Sequence, residues 1–324
     1  MSAGTVLQRS WWSTLVAAAL VVTLAPPAGA ERAEGWQLVD LGAGIGSIAN
    51  AVNDKGHVVG QSGLGRVFLW RRGDLVDLGV EGGGSALDVN NRDEVVGYRF
   101  VDAGVRAFLW RRGEVVDLGT LPGGTNSYAE AVNDRGEVVG WSEASDGLLH
   151  AFHWHAGVLT DLGRTGEHSL AYDIDNAGRI VGSSSDAEGA SRAVRWWRGV
   201  VTVLDSPAWL ATAISSDGAI TGLAEGAGGL SAGFVWHRGR HQMIPQPPGD
   251  IGWVFLQPTG INSRHQVVGT SSAGAFVWER GRTTFLPSRT RASGAYDINA
   301  RGVVVGSNPS TPEGTDSYAV LWTR

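Results

Sequence analysis

The sequence predicts an all-β fold, a seven-bladed β-propeller built of four-stranded blades. One motif recurs seven times along the chain, and each copy contains four short segments with the composition of β-strands. The copies follow one another at about 40 residues, a spacing typical of propeller blades. A glycine of the motif marks the repeat at positions 60, 97, 140, 182, 222, 269 and 306, with spacings of 37, 43, 42, 40, 47 and 37 residues.

Each copy divides into four strand-like segments in a fixed order. The first, such as 49–53, ends in Val or Ile followed by Asn, and the second, such as 58–62, contains Val-Val-Gly. The third, such as 107–110, reads Ala-Phe-x-Trp, and the fourth, such as 115–119, reads Val-Val-Asp-Leu-Gly. All are rich in β-branched or aromatic residues and are bounded by turn residues, the pattern of short strands joined by hairpins.

The first and second segments are joined by an Asn-Asp-x-Gly turn, residues 53–56 in the first copy. Asn and Asp close such turns with their own side chains, and Gly accepts positive φ. The motif resembles a fragment of a calcium loop, but no copy supplies the alternating acids that oxygen coordination needs. Two copies carry Asp93 and His265 in place of the glycine. A structural turn is therefore the favoured interpretation.

The third segment carries Phe and Trp two residues apart, which places both on one face of a strand. The residue between them is mostly apolar, and a strand that is apolar on both faces belongs between two other layers. We therefore expect Trp110 and its equivalents to be buried between blades. The repeated tryptophans are Trp70, Trp110, Trp154, Trp196, Trp236, Trp278 and Trp322.

The two ends of the chain predict closure of the ring. The chain stops after a third segment, 319–322, and the fourth segment missing from that copy is supplied by residues 37–42. We expect these segments to share the last blade, because closure removes exposed sheet edges.

Residues 1–30 read as a secretory signal peptide. Arg9 is the only charge there, 15–24 is apolar, and Ala28-Gly29-Ala30 offers a cleavage site. The apolar run is too short to span a bilayer, so the prediction is a secreted protein without stable membrane insertion, its residues 31–324 forming a single propeller domain. The chain has no cysteine, hence no disulfide. Removing the signal leaves a net charge of −7, which disfavours nucleic acid as a partner. We expect a monomer.

The repeats resemble the extracellular HAF repeat family, which is named for a His-Ala-Phe run. Residues 150–152 match that run, and 106–108 and 274–276 keep its Ala-Phe. The resemblance extends over about residues 36–324 and includes the Asn-Asp-x-Gly, Val-Val-Gly and Asp-Leu-Gly segments. It implies export and repetition, and it brings no catalytic residues.

Function is expected on the rim where the connections vary between copies. In a four-stranded blade, the second-to-third and blade-to-blade connections share one rim, and here they differ in length and content, as binding loops do. Aromatic side chains beside carboxylates suit sugar or peptide binding, although inward packing of the loop aromatics is an open alternative. The candidate ligand-binding residues are Trp141, Trp253, Glu143, Asp146, Asp250 and Tyr98.

His150, His153 and His155 form a cluster that suggests zinc, but no further ligand lies nearby in sequence, so neither a metal nor a cofactor is expected. No catalytic motif stands out, and no catalytic residue is assigned. The leading hypothesis is an exported binding or scaffold module for extracellular polysaccharide or a protein partner. The alternative is a polysaccharide hydrolase or lyase whose site is built from loops.

Overall fold

A computed structural model describes residues 35–186, 188–205, 207–246, 255–311 and 316–324. Within this part of the chain, strands β1 to β28 form seven four-stranded antiparallel sheets, as the repeats predict. The structure also has one short 3₁₀ turn, Ala227–Gly229. The described residues form no helix with the length and apolarity needed to cross a membrane.

Each sheet is one blade of the propeller. The blades are numbered in chain order, and the strands of each blade are given from the innermost to the outermost. Blade 1 contains β2 (Ile48–Val52), β3 (Val58–Gln61), β4 (Val67–Arg71) and β5 (Asp74–Asp77). Blade 2 contains β6 (Gly84–Val89), β7 (Val95–Val101), β8 (Gly104–Arg111) and β9 (Glu114–Gly119). Blade 3 contains β10 (Ser127–Val132), β11 (Val138–Glu143), β12 (Leu149–His155) and β13 (Val158–Asp161).

The remaining blades follow the same order. Blade 4 contains β14 (Ser169–Ile174), β15 (Ile180–Ser185), β16 (Ser191–Trp197) and β17 (Val200–Val203). Blade 5 contains β18 (Ala208–Ile214), β19 (Ile220–Glu225), β20 (Ser231–His237) and β21 (Arg240–Ile244). Blade 6 contains β22 (Leu256–Ile261), β23 (Val267–Ser271), β24 (Gly274–Glu279) and β25 (Arg282–Phe285). Blade 7 contains β26 (Gly294–Ile298), β27 (Val304–Ser307), β28 (Ala319–Thr323) and β1 (Gln37–Asp40).

A β-bulge in the innermost strand of every blade explains the repeated glycine. In blade 3 the register of β10 against β11 shifts between Ala129 and Ala131, and each other blade has a matching shift. The bulge brings the carbonyl oxygen of Tyr128 against Gly140, where a Cβ would lie 1.9 Å from it. The same approach, at 1.9 to 2.1 Å, occurs at the other six repeat glycines. Only glycine leaves room for the bulge.

The hydrophobic core is divided among the junctions between blades. In the described residues, seven buried clusters form, one at each junction. At the junction of blades 2 and 3, Val96 and Leu109 of one blade pack with Phe152 and Trp154 of the next. The alternation of the third strand therefore places its Phe and Trp against the preceding blade and the intervening residue against the following one.

All seven repeat tryptophans pack at junctions, but they are not equally buried. Trp154, Trp196, Trp278 and Trp322 are buried. Trp110, which was expected to be buried, is only half-buried, as are Trp70 and Trp236. The Phe two residues earlier is the deeper side chain, and Phe108 has no exposed surface. The Trp position lies at the end of the third strand beside its hairpin in every blade, where neighbouring side chains cover it to different extents, whereas the Phe lies nearer the middle of the sheet and is fully covered.

The last blade is closed by both ends of the chain, as predicted. Strand β1 pairs antiparallel with β28, with Leu38 opposite Trp322 and Asp40 opposite Val320. Trp36 is buried in the cluster between blades 6 and 7, and the guanidinium of Arg324 lies 4.8 Å from the centre of its ring. The ring of sheets therefore has no unpaired opening between its first and last strands.

Removing residues 1–42 is expected to lower the melting temperature strongly compared with removing residues 1–34. The longer truncation deletes β1 and the buried Trp36, and deletion of a large buried aromatic side chain alone costs about 3 to 5 kcal/mol. It also exposes the edge of β28. Thermal unfolding of the two truncated proteins gives the test, and equal melting temperatures would contradict closure by β1.

Replacing Gly140 with Ala is expected to cost more stability than replacing Gly157 with Ala. Gly157 has a φ of +91° in an open hairpin, so its replacement costs about 1 kcal/mol from backbone strain. At Gly140 the new Cβ meets a backbone oxygen that the bulge holds in place, and overpacking of this kind costs about 1 to 3 kcal/mol or more. Urea unfolding compares the two variants. A Gly140→Ala protein as stable as the wild type would show that the bulge is not rigid.

Candidate functional site

The innermost strands surround a central channel with two different mouths. Neighbouring innermost strands contact one another all round the ring, so β2 contacts both β6 and β26. We call one face the turn rim, because it carries the turns between first and second and between third and fourth strands. The opposite face, with the second-to-third and blade-to-blade connections, is the loop rim.

The mouth at the turn rim is a cavity of about 200 Å³ whose polar groups are largely used by the fold itself. The side-chain oxygen of Asn53 accepts the backbone N–H groups of Lys55 and His57, both at 3.0 Å. Its amide donates to the carbonyl of Asn90 in the next blade at 2.9 Å. One side chain thus closes a turn and joins two blades.

The same amide bond recurs at five of the seven junctions. Asn90 donates to the carbonyl of Asn133, and Asn133 donates to that of Asp175. Asn262 donates to the carbonyl of Asn299, which in turn donates to that of Asn53. We call these five residues the asparagine collar. Its bonds are 2.9 to 3.0 Å long, and they confirm that the repeated Asn-Asp-x-Gly motif is a structural turn.

Near the loop rim, aromatic side chains from blades 2 and 3 form an exposed cluster. Tyr128 and Trp141 are paired across β10 and β11, and their rings stack at a centroid distance of 4.1 Å and an angle of 21°. The ring of Tyr98 lies 5.0 Å from that of Tyr128 and 5.8 Å from that of Phe100, which is 53% exposed. We call Tyr98, Phe100, Tyr128 and Trp141 the aromatic cluster.

Glu130 lies beside the aromatic cluster and is held by it. The indole N–H of Trp141 donates to the Glu130 carboxylate at 2.9 Å. Desolvation raises the pKa of Glu130 to about 7, although the Trp141 bond opposes the shift. Desolvation and the nearby charges of Tyr98, Glu130 and Glu143 raise the pKa of Tyr128 to about 12. The site therefore combines aromatic faces with a carboxyl that titrates near neutral pH.

Three further carboxyls line the inner wall and join adjacent blades. Asp88, Asp173 and Asp297 occupy one position of the innermost strand, where the other copies have Ala or Gly. Asp297 accepts the backbone N–H of Val52 in the next blade at 2.8 Å. Asp88 and Asp173 accept the equivalent N–H groups of Val132 and Ile214, at 2.8 and 2.7 Å.

The environment of these three carboxyls favours their protonated form. Desolvation is the main cause, and it raises the pKa of Asp173 to about 7 and that of Asp297 to about 6. Desolvation, with the charges of Asp173 and Asp297, raises the pKa of Asp88 well above its ordinary value. Asp173 and Asp297 consequently give the channel wall negative charge only as the pH rises through about 6 to 7.

The structure places the predicted site residues in three different settings. Tyr98 and Trp141 come together through Tyr128. Glu143 instead accepts hydrogen bonds from Thr125 and Asn126 in the preceding connection. Asp146 contacts Arg164 at 2.9 Å and His150 at 3.1 Å.

The bonds of Asp146 keep it ionised, and two other candidates fall outside the structural description. The backbone N–H of Leu148, followed by Arg164 and His150, lowers the pKa of Asp146 to about 2. Trp253 and Asp250 lie outside the described residues.

The histidine cluster of blade 3 does not converge on one point. His150 is buried and contacts the carboxylates of Asp161 at 2.6 Å and Asp146 at 3.1 Å. His153 lies instead near Glu137, at 3.7 Å, and its ring is 6.4 Å from that of His155. The polar contacts of His150 are those of a structural network.

The sequence analysis missed Tyr128 and Glu130, although a signal for Glu130 was available. It is the only charged residue in its column of the seven repeats. The other members of the column are Asn50, Leu87, Tyr172, Thr212, Thr259 and Tyr296. Since the other six copies have an uncharged residue at this position of the innermost strand, the repeated fold does not require the charge of Glu130.

Comparison with known proteins identifies no family. No protein-family model matches the chain, and no curated protein matches it either. A gluconolactonase from Xanthomonas campestris is similar over 93% of this chain and 96% of its own, with 11% identity and a TM-score of 0.43. AofleA from Arthrobotrys oligospora is similar over 80% of this chain and 91% of its own, with 13% identity and a TM-score of 0.46. The likeness concerns the fold alone.

Acidification from about pH 7.5 to pH 5 is expected to stabilise the protein. Raised carboxyl pKa values mean that the folded state binds protons that the unfolded chain releases, so stability falls as pH rises from about 4 to 7. The lowered pKa of His153 opposes this trend, because it makes stability increase with pH, but it is the contribution of a single group. Below about pH 4, further acidification instead destabilises the protein, because it protonates carboxylates whose pKa the fold lowers, such as Asp146.

The contribution of Glu130 can be isolated with Glu130→Gln. The amide oxygen of Gln still accepts the Trp141 N–H but does not titrate, so the slope of unfolding free energy against pH should become shallower between about pH 5 and 7.5. Urea unfolding at a series of pH values measures the slope. An unchanged slope would mean that Glu130 titrates at its ordinary pKa.

Proposed function

We propose that this chain is an exported propeller that binds a neutral polysaccharide at the loop-rim mouth of its channel. The observation that supports this proposal is the aromatic cluster beside Glu130. Tyr and Trp present broad apolar faces that can stack on the C–H faces of sugars, while the indole N–H of Trp141 bonds to Glu130 and orients its ring. A carboxyl beside such a platform can bond to sugar hydroxyls.

The geometry of the aromatic cluster suits a ligand with flat apolar faces. Tyr128 and Trp141 are stacked on each other and half-buried, so they are ordered before any ligand arrives. Preorganisation reduces the conformational entropy lost on binding. Phe100 extends the platform into solvent with more than half of its surface exposed. A chain of sugar rings is therefore a better match than a single small molecule.

The charge around the site favours a neutral over an anionic polysaccharide. Glu130 is adjacent to the platform, and Asp88, Asp173 and Asp297 follow in the channel wall. A uronate or sulfate group would oppose the ionisation of these carboxyls and would meet like charge as they ionise above about pH 7, in an environment that screens charges less than water does. The whole chain is also acidic, with a net charge of −6.

Export and membership in the HAF repeat family belong to the same proposal. Residues 15–24 and the Ala-Gly-Ala site at 28–30 have the features of a signal peptide, and the absence of cysteine is compatible with folding outside the cell without disulfides. An extracellular polysaccharide is a ligand that such a protein would meet. We propose that it acts as a monomer.

A hydrolase or lyase acting on polysaccharide is the second candidate, and the pKa of Glu130 is the observation that favours it. A glutamic acid with a pKa of about 7 is suited to general acid or base catalysis near neutral pH. Binding without turnover supports a binding module, whereas shortened or unsaturated products from the same polysaccharide support an enzyme.

Trp141→Ala and Tyr128→Ala, made separately, are each expected to weaken polysaccharide binding about tenfold or more. Each change removes one ring of the stacked pair, and loss of an aromatic anchor at a binding site typically costs more than about 1 kcal/mol. A glycan array of neutral and anionic polysaccharides identifies the ligand, and titration calorimetry on the strongest neutral hit measures the affinities.

Trp197→Ala provides the matched control. Trp197 is 39% exposed at the opposite rim, where Arg198 lies 4.5 Å from its ring centre, so its loss should leave polysaccharide affinity unchanged. If Trp197→Ala abolishes binding while both cluster variants keep it, the ligand binds at the turn rim. If only anionic polysaccharides bind, the charge argument is wrong.

A further inference from the structure

The junction between blades 5 and 6 lacks the amide bond of the asparagine collar. Ser215 occupies the collar position in blade 5, and it is too short to reach the next blade. Its hydroxyl donates instead to the side-chain oxygen Oδ1 of Asp217 at 2.5 Å within its own turn. The junction between blades 4 and 5 also lacks the amide bond, but there Arg179 donates to the carbonyl of Ser216 at 3.0 Å.

Two imidazoles and a carboxylate meet at the turn rim of the junction between blades 5 and 6. Asp217 lies in the first turn of blade 5, His237 ends β20 of that blade, and His265 lies in the first turn of blade 6. The Oδ2 atom of Asp217 is 2.9 Å from Nε2 of His265 and 3.5 Å from Nε2 of His237. All three atoms lie within 4.8 Å of one another.

The Nε2 atom of His237 is shielded from solvent and forms no hydrogen bond with any described residue. A buried polar atom normally has a partner, because an unpaired one loses its bonds to water. This nitrogen faces the carboxylate of Asp217 at a distance longer than a good hydrogen bond. A metal ion between the two groups would satisfy both.

His265 occupies a backbone position that most copies give to glycine. Its φ is +57°, and the equivalent residues are Gly56, Asp93, Gly136, Gly178, Gly218 and Gly302, all with positive φ. A side chain other than glycine is strained in this region. His265 thus places an imidazole at a turn position that five other copies fill with glycine.

We propose that Asp217, His237 and His265 bind a divalent cation of the zinc class, which joins blades 5 and 6 where the asparagine collar is interrupted. Tetrahedral zinc, with bonds of about 2.0 to 2.2 Å, places its ligand atoms about 3.3 Å apart. The two distances from Asp217, 2.9 and 3.5 Å, bracket that value, and the third, between the two imidazole nitrogens, is at most 4.8 Å. Two nitrogens and one oxygen are a ligand set that zinc accepts.

The surroundings of the three ligands support the same assignment. The Ser215 hydroxyl bonds to the carboxylate oxygen that faces away from the histidines, so it fixes the orientation of the ligand oxygen. Outer bonds of this kind raise metal affinity. Three protein ligands leave a fourth position for water, and the side chains are 24 to 37% exposed, which leaves an entry path from solvent.

Zinc titration of the untagged chain, followed by calorimetry and by thermal unfolding, tests the proposal. We expect one equivalent of Zn²⁺ to bind and to raise the melting temperature, because a ligand that binds only the folded state stabilises it. Co²⁺ should give the intense visible absorption of a tetrahedral site. Ca²⁺, which prefers oxygen ligands, should give no shift.

His265→Gly is the decisive variant, because glycine is the native residue in five equivalent turns. It removes one ligand and relieves the backbone strain, so the metal-free protein should be at least as stable as the wild type. Zinc affinity should fall about tenfold or more, and the zinc-dependent rise in melting temperature should disappear. Asp217→Asn should weaken zinc binding in the same direction.

Asp93→Gly is the matched control, since it replaces a residue with glycine in the equivalent turn of blade 2, where Asp93 contacts His57, Asn53 and Lys55 and belongs to no group of three metal-ligating side chains among the described residues. It should leave the zinc response intact. The proposal is overturned if the wild type shows no zinc-dependent shift, if His265→Gly retains the full shift, or if Asp93→Gly loses it.

Discussion

The hydrogen bonds of the asparagine that follows the innermost strand in five of the seven blades are the interaction on which the ring depends. Its side-chain oxygen holds the turn that follows, and its amide holds the carbonyl of the next blade. A blade whose turn is distorted therefore also loses its bond to the neighbouring blade. The apolar clusters between blades supply most of the burial, but apolar contacts are non-directional. The amide hydrogen bonds, which are directional, fix the spacing of neighbouring blades and their relative position along the channel axis.

The repeated frame makes the departures from it informative. Positions that close turns, accommodate the bulge or fill the junctions are occupied by similar residues in all copies. The aromatic cluster and Glu130 occur in two adjacent blades, and Asp217 and His265 occur at one junction where the asparagine collar is interrupted. A ring of nearly equivalent blades thus presents two chemically distinct places, one on each rim, and they are built from residues the fold does not require.

The fold was predictable because its signals are local and repeated. Strand order, turn chemistry and closure by both ends follow from seven copies of one motif, and the strands of blade 7 confirm the closure. The sequence did not reveal why each copy needs its glycine, since the bulge that excludes a Cβ is a contact between two strands. The burial of Trp110 was overestimated because alternation gives the face of a strand and not how fully the side chains around the hairpin cover that face, which differs from blade to blade.

The candidate sites were less predictable for a physical reason. Attention to variable loops identified Tyr98 and Trp141 but not Tyr128, which is the ring between them. Asp217 and His265 are 48 residues apart, and only the stacking of one blade on the next brings them together. Sites of this kind become visible when equivalent positions of neighbouring blades are compared, because the ring places each turn beside its counterpart in the next copy.

Closure of blade 7 by β1 and β28 also constrains the order in which the protein can be assembled. Among the described strands, the first in chain order pairs with the last, Gln37 with Thr323. Blades 1 to 6 are each continuous in sequence and can form as local hairpins while the chain lengthens. Until residues 319–323 have been synthesised, β28 is absent and β1 has no partner, so the ring can close only after the other six blades have been made.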